Sequence, residues 1–132
     1  MASECYCTSL RRATRKVAAL YDAALEPVGV NIAQFALLRS VARSEPVDLT
    51  ELARRTELDR STIGRNVRVL ERMGLLQLGR GEDQREASVS ITEHGRRVLE
   101  DGAPLWGGVQ RMLEDRIGDG AARELRSVLN NL

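Results

Sequence analysis

Between Leu49 and Thr92 the hydrophobic spacing of the chain switches once, at Gly74, from a helical period to a period of two. Asp48–Leu58 reads as one helix. Asp48, with Glu51 three residues later, forms a capping-box pattern ahead of Leu49, Leu52 and Ala53. Asp59–Met73 reads as a second helix, joined to the first by a tight turn, with Asp59 as N-cap and Ser61 and Thr62 in the first turn. Within it Ile63, Val67, Leu70 and Met73 recur at helical spacing as one apolar stripe. Gly74 stops that helix. Leu76 and Leu78 then alternate with Gln77 and Gly79, and Ala87, Val89 and Ile91 with Ser88, Ser90 and Thr92. That alternation indicates two half-buried strands, Leu75–Gly79 and Glu86–Thr92. The segment between them, Arg80–Arg85, is too long for a two-residue turn and forms a charged tip.

Helix, turn, helix, strand, tip, strand is the order of a winged helix-turn-helix. The expected fold class is therefore mainly α with a small β-hairpin (α+β). In such a lobe the second helix fits the DNA major groove and the tip reaches the adjacent minor groove. Ser61, Arg65 and Arg68 fall opposite the apolar stripe, and Thr62 and Asn66 flank it. Arg suits guanine, Asn suits adenine, and Ser or Thr is adaptable. Arg60 at the helix start, with Arg80 and Arg85 at the tip, completes the basic set. A plainer reading is a helical hairpin whose charges are merely solvated. The β-hairpin directly after it favours DNA. A winged helix used only for protein–protein contact is the alternative function.

At 132 residues the chain is one domain-sized unit, and its formal net charge is only +1. Basic charge must then be local if DNA is the partner. Arg54, Arg55, Arg60, Arg65, Arg68, Arg72, Arg80 and Arg85 lie in the winged segment, against Glu51, Glu57, Asp59, Glu71, Glu82, Asp83 and Glu86. Lys16 is the only lysine; arginine suits bidentate phosphate and guanine contacts, although a GC-rich genome gives the same bias. No apolar run is long enough to span a bilayer and no signal peptide pattern opens the chain, so the expected location is cytoplasmic, with no membrane partner. Nothing resembles enzyme machinery. Gly79-Arg80-Gly81 is too short for a phosphate loop, and His94 is the sole histidine, expected at the surface. No metal set and no cofactor are indicated.

The flanks read as helices. Leu10, Ala13, Val17, Leu20, Tyr21, Ala24 and Leu25 make a stripe that ends before Pro27 and Gly29. Asn31 can cap a helix carrying Ile32, Phe35, Leu38 and Val41. Thr92 can cap one beginning at Glu93, and Asp119 a last one with Leu125, Val128, Leu129 and Leu132. Gly102, Pro104, Gly107 and Gly108 cluster inside the long helix after the hairpin, so a kink or break is expected near 101–108. The ends carry more apolar stripe than one lobe can cover; dimerisation through them would bury it.

The run DLTELARRTELDRSTIGRNVRVLERMGLLQLGRGEDQREASVSITEHGRRVL resembles the core of MarR-type bacterial transcriptional regulators. The telling pieces are Leu52-Ala53, Asp59 to Gly74 ending in Leu70-Glu71-Arg72-Met73-Gly74-Leu75, Asp83-Gln84-Arg85, and Ile91-Thr92 followed by Gly95. Upstream, Gln34-Phe35-Ala36-Leu37-Leu38 is similar to the family's second helix. The resemblance covers nearly the whole chain. It implies a homodimer that binds double-stranded DNA at pseudo-palindromic operators, usually as a repressor, and often releases them on a small ligand or on oxidation. It implies residues 1–30 and 100–132 as a helical dimerisation region built from both chain ends. Residues 31–99 would be the DNA-binding lobe, with recognition helix 59–73 and wing 75–92. Ser61, Thr62, Arg65, Asn66 and Arg68 would contact bases or phosphates, Arg85 would enter the minor groove, and Asp83 would orient it.

Three residues outside the lobe complete the candidates. Cys5 and Cys7 flank Tyr6 just before the first helix. A structural disulfide is not expected in a cytosolic protein, and a one-residue gap strains an internal bridge. The pair reads as a redox sensor polarised by the helix N-terminus or by Arg11 and Arg12, as a soft-metal site shared by two subunits, or as packing at a dimer seam. Trp106 reads either as lining a ligand cavity between dimer region and lobe or as an apolar anchor.

Overall fold

The computed structural model describes residues 3–80 and 87–132. Asp83, Arg85 and the side chain of Arg80 lie outside the described residues. Among the described residues six helices and three strands follow in order. They are α1 (Tyr6–Leu25), a short 3-10 turn (Glu26–Val28), α2 (Ile32–Ser44), β1 (Val47–Asp48), α3 (Leu49–Thr56), α4 (Arg60–Arg72), β2 (Leu76–Arg80), β3 (Ala87–Ile91), α5 (Glu93–Ile117) and α6 (Asp119–Asn130).

Local chemistry sets most boundaries. Pro27 sits in the turn after α1, and Gly29 closes that turn at φ 79°, a left-handed conformation that glycine adopts without steric cost. Asn31 caps α2 in a full capping box. Its Oδ1 accepts the Gln34 N–H at 2.8 Å, and the Gln34 Oε1 accepts the Asn31 N–H at 2.9 Å. The box expected at Asp48 is only half formed. Asp48 accepts the Glu51 N–H at 2.7 Å, but the Glu51 carboxylate turns to Arg54 and Arg55, whose cations outcompete a backbone N–H. Thr92 caps α5 by accepting the Gly95 N–H at 3.0 Å. Asp119 does not cap α6: Gly118 holds that position, and Asp119 is the first residue of the helix, where its charge suits the helix dipole.

The hairpin is part of a three-stranded antiparallel sheet in the order β1-β3-β2. The two-residue β1 pairs Val47 with Val89 and Asp48 with Ser88; β2 pairs Leu76 with Ile91 through to Arg80 with Ala87. A strand this short leaves no alternation to read, so the sequence suggests only two strands. The core joins Phe35, Leu38 and Val41 of α2, Leu52 of α3, Ile63, Val67 and Leu70 of α4, and Leu76 and Val89 of the sheet. Leu25 and Val98 bring the end of α1 and the start of α5 onto it.

Of the kink or break expected near 101–108, the break does not occur: α5 runs 25 residues with Pro104 inside it. Tertiary packing overrides the local cost. Gly102 lets α5 approach α2 so closely that a Cβ there would stand 2.6 Å from Phe35 Cε2. Leu99, Leu105 and Trp106 pack against the core beside it. α1 lies along α5, where the Tyr21 hydroxyl donates to Gln110 Oε1, and α6 folds back on α5. Leu10 of α1, Ile117 of α5 and Leu125, Val128 and Leu129 of α6 stay exposed. Among the described residues no helix is long and apolar enough to cross a membrane.

Candidate nucleic-acid interface

Helix α4 buries Ile63, Gly64, Val67 and Leu70 and turns Arg60, Ser61, Arg65, Asn66 and Arg68 to solvent; Thr62 is half-buried at the edge. Met73, assigned by its spacing to the apolar stripe, is 38% exposed, because the helix ends at Arg72 and Gly74 turns the chain away at φ 78°. Asn66 faces the side toward α2, lining a shallow cleft with Asn31, Ala33 and Gln34.

Asp59 organises the N-terminal end of this surface. Its Oδ1 accepts the Thr62 N–H at 2.7 Å and the Ser61 hydroxyl at 2.7 Å, and its Oδ2 accepts the Thr62 hydroxyl at 2.9 Å. Thr62 Oγ1 in turn accepts from Arg65 Nη2 at 3.3 Å. Both hydroxyl protons are therefore committed inward, and what Ser61 and Thr62 offer outward is lone pairs. Arg60 reaches back to α3, its Nε donating to Thr50 Oγ1 at 3.3 Å.

The same bonds set two pKa values. The Thr62 backbone N–H, then the Ser61 and Thr62 hydroxyls, hold the Asp59 carboxyl down at about 2, from an ordinary 3.8. Hydrogen bonds from Arg54 and Arg55 take Glu51 from 4.5 to about 2. Both groups bind protons more weakly folded than unfolded. Their stabilisation is thus complete above about pH 4.5 and is lost as pH falls toward 2. Thermal melts from pH 6 to pH 2 should show Tm level at first and then falling; in Asp59→Asn the fall should be shallower. An identical acid profile in the variant would contradict this.

Beyond α4 the hairpin carries the chain out to Arg80, whose backbone pairs with Ala87; the tip residues proposed for DNA lie outside the described residues. Two further sequence candidates sit far from α4 along the chain. Cys5 is the exposed N-cap of α1, and Cys7 is exposed within its first turn. The Thr8 backbone N–H, followed by that of Cys7 and by the Thr8 hydroxyl, lowers the Cys5 pKa. Arg12, one of the two arginines considered as its activator, pairs instead with Glu4 at 2.6 Å. Among the described residues no group of three His, Cys, Asp or Glu side chains could hold a metal ion, and His94 is exposed.

Trp106 lines an open cleft of about 270 Å³ with Phe35, Arg39, Arg43, Leu99 and Ala103. The Arg39 guanidinium stacks over its ring, 4.4 Å from the centroid. Burial, then repulsion from Arg43, lowers the Arg39 pKa, and among the described residues no carboxylate pairs with either arginine. Sequence reasoning named Trp106 but missed Arg39, which lies 67 positions earlier in the chain. Only its spacing four residues before Arg43 hinted at a cationic edge.

An exposed, capped helix packed on a shorter one and followed directly by an antiparallel hairpin defines a winged-helix DNA-binding protein. Comparison with known proteins agrees. The model of the MarR family matches residues 28–86. The chain is 36% identical to the M. tuberculosis transcriptional regulator MosR, covering 97% of this chain and 93% of that one with a TM-score of 0.81. Against the structure of MosR in complex with DNA the identity is 34%, the coverage 95% and 93%, and the TM-score 0.83. The uncharacterized HTH-type transcriptional regulator YwoH of Bacillus subtilis (strain 168) is 26% identical over 92 residues, 70% of this chain and 67% of YwoH. The chain belongs to the MarR family of transcriptional regulators and is not an enzyme.

Proposed function

We propose that this regulator represses transcription by binding a pseudo-palindromic operator as a homodimer, and that oxidation of Cys5 releases it. The outward surface of α4 carries the reading. Ser61 and Thr62 present acceptors, which suit the amino groups of adenine or cytosine rather than phosphates; Arg65 and Arg68 present guanidinium donors, which suit guanine or phosphate. Arg60 and Asn66 extend the contact at either side of that face. Arg80 and Arg85 would reach the neighbouring minor groove, with Asp83 orienting Arg85. Residues 31–99 form the reading lobe, and residues 1–30 and 100–132 the dimerisation region. The exposed apolar residues of α1 and α6 support that division, because pairing two copies would bury them. Two recognition helices then sit one DNA turn apart, about 34 Å.

Oxidation is favoured by the exposed, N-capping position of Cys5. Its thiolate attacks one oxygen of hydrogen peroxide, the O–O bond breaks and the other oxygen leaves as hydroxide; the sulfenic acid formed replaces an anion at the helix N-terminus with a polar, uncharged group. A small-ligand release is the second reading, supported by the cleft under Trp106: its apolar walls and two arginines, neither with a carboxylate partner among the described residues, suit an aromatic acid.

Mobility shift with DNA from upstream of the chain's own gene tests the whole. Binding should fall steeply with salt, and peroxide should abolish it in the parent but not in Cys5→Ser. Release of Cys5→Ser by peroxide would end the assignment to Cys5, and release of the Cys5→Ser/Cys7→Ser double variant would end the oxidation reading. Absence of binding to any DNA would leave the protein–protein alternative standing.

A further inference from the structure

The short strand β1 stops before its ladder with β3 is complete, and one side chain finishes it. Val47 lies opposite Val89 and Asp48 opposite Ser88, so the same antiparallel register carried backward would set Pro46 opposite Ser90 and Glu45 opposite Ile91. Pro46 falls at a non-hydrogen-bonded position of that register, and Glu45, whose backbone would supply the next rung, is already the C-cap of α2, its own N–H donated to Val41 O. Its carboxylate stands in for the missing strand: Glu45 Oε2 accepts the Ile91 N–H at 2.9 Å. The other oxygen, Oε1, accepts from Arg96 Nη2 at 2.5 Å in the first full turn of α5.

One carboxylate thus ties three elements together: the end of α2, the last residue of the hairpin and the start of the helix that leaves the lobe. It is only 23% exposed, and it spans 46 residues of chain to Ile91 and 51 to Arg96. The two bonds do different work. The Arg96 ion pair is half open to water, since the arginine side chain is 49% exposed, and such pairs contribute little on their own. The Ile91 bond replaces a rung of the sheet. It joins the inner end of β3 to the end of α2, beside the two pairs that β3 makes with β1.

We infer that Glu45 is a positioning residue for DNA binding: it aims the β2–β3 hairpin by holding the Ile91 N–H, without touching DNA itself. This rests on the reading that the hairpin tip contacts DNA, and the test separates the two.

The experiment measures DNA affinity against salt concentration for the full chain and three variants, at a temperature where circular dichroism shows each folded. Arg85→Ala reports on the tip and should lower the salt slope by about 1 per operator half-site. Glu45→Ala should lower the slope similarly and weaken binding by about 10-fold. Glu45→Gln keeps an oxygen for Ile91 while losing the negative charge that faces Arg96, and should retain the parent slope. A merely structural role would lower the melting temperature of Glu45→Ala but leave the slope of the folded fraction untouched. If Arg85→Ala changes the slope and Glu45→Ala does not, the positioning role is wrong. Should Glu45→Gln lose as much slope as Glu45→Ala, the Ile91 bond is not the aiming contact, and the inference falls. If Arg85→Ala has no effect, the tip reading fails first and takes the inference with it.

Discussion

Gly95→Ala is expected to lower the melting temperature by roughly 10 °C, through an overpacking cost of about 3 kcal/mol. Gly95 lies in the first turn of α5, where that helix crosses the chain leaving α4. A Cβ there would stand 2.3 Å from the Leu75 carbonyl oxygen and 2.7 Å from Ile91 Cγ1. The Ile91 side chain could turn, but the carbonyl cannot withdraw easily. It accepts the Thr92 N–H at 3.1 Å, and Thr92 also donates its hydroxyl to Gly74 O at 2.7 Å. Any relief must move α5 away from the sheet and break the Thr92 contacts with it. Thermal denaturation followed by circular dichroism decides the matter. A midpoint within about 2 °C of the parent would mean that the crossing gives way locally, at under about 1 kcal/mol.

Arg65→Ala is expected to weaken binding to the cognate operator by about 10- to 100-fold, the range for losing a bidentate base contact worth about 1–3 kcal/mol. Binding to unrelated DNA should change far less. Arg65 is exposed at the middle of the α4 surface, and its guanidinium leans on Thr62 Oγ1, itself held by Asp59. That chain of bonds orients the arginine before DNA arrives, so less side-chain freedom is lost on binding. Fluorescence anisotropy with the operator and with a scrambled duplex separates the roles. An equal loss on both duplexes, with a salt slope reduced by about 0.9 per operator half-site, would make Arg65 a phosphate contact. Unchanged affinity on both would remove it from the interface.

Asp59 shows how much of this surface can be read from the chain. Its place before Ser61 and Thr62 is enough to mark the start of a helix, because an N-cap bond spans only three residues and depends on nothing distant. Asn31, Thr92 and the stop at Gly74 are legible for the same reason. That the Ser61 and Thr62 protons point inward is not legible, since it depends on which rotamers the folded helix end allows. Local rules also misled where tertiary contacts were stronger. Glu51 fits a capping box but pairs with two arginines. Gly102 and Pro104 suggest a kink or break, yet α5 continues through them, with Gly102 packed closely on Phe35.

Periodicity and caps between Leu49 and Thr92, with the motifs that resemble a known family, determined the class of the lobe and the face of α4 that can meet DNA. Those signals act over one or two helical turns, or over alternate residues of a strand, and they survive in a linear text. The third strand, the uninterrupted α5, the stacking of Arg39 on Trp106 and the Glu45 tie to Ile91 and Arg96 were decided only by the tertiary structure. Each joins groups that are tens of residues apart. Their free energy depends on burial and on a register between elements, and neither exists until the chain has folded.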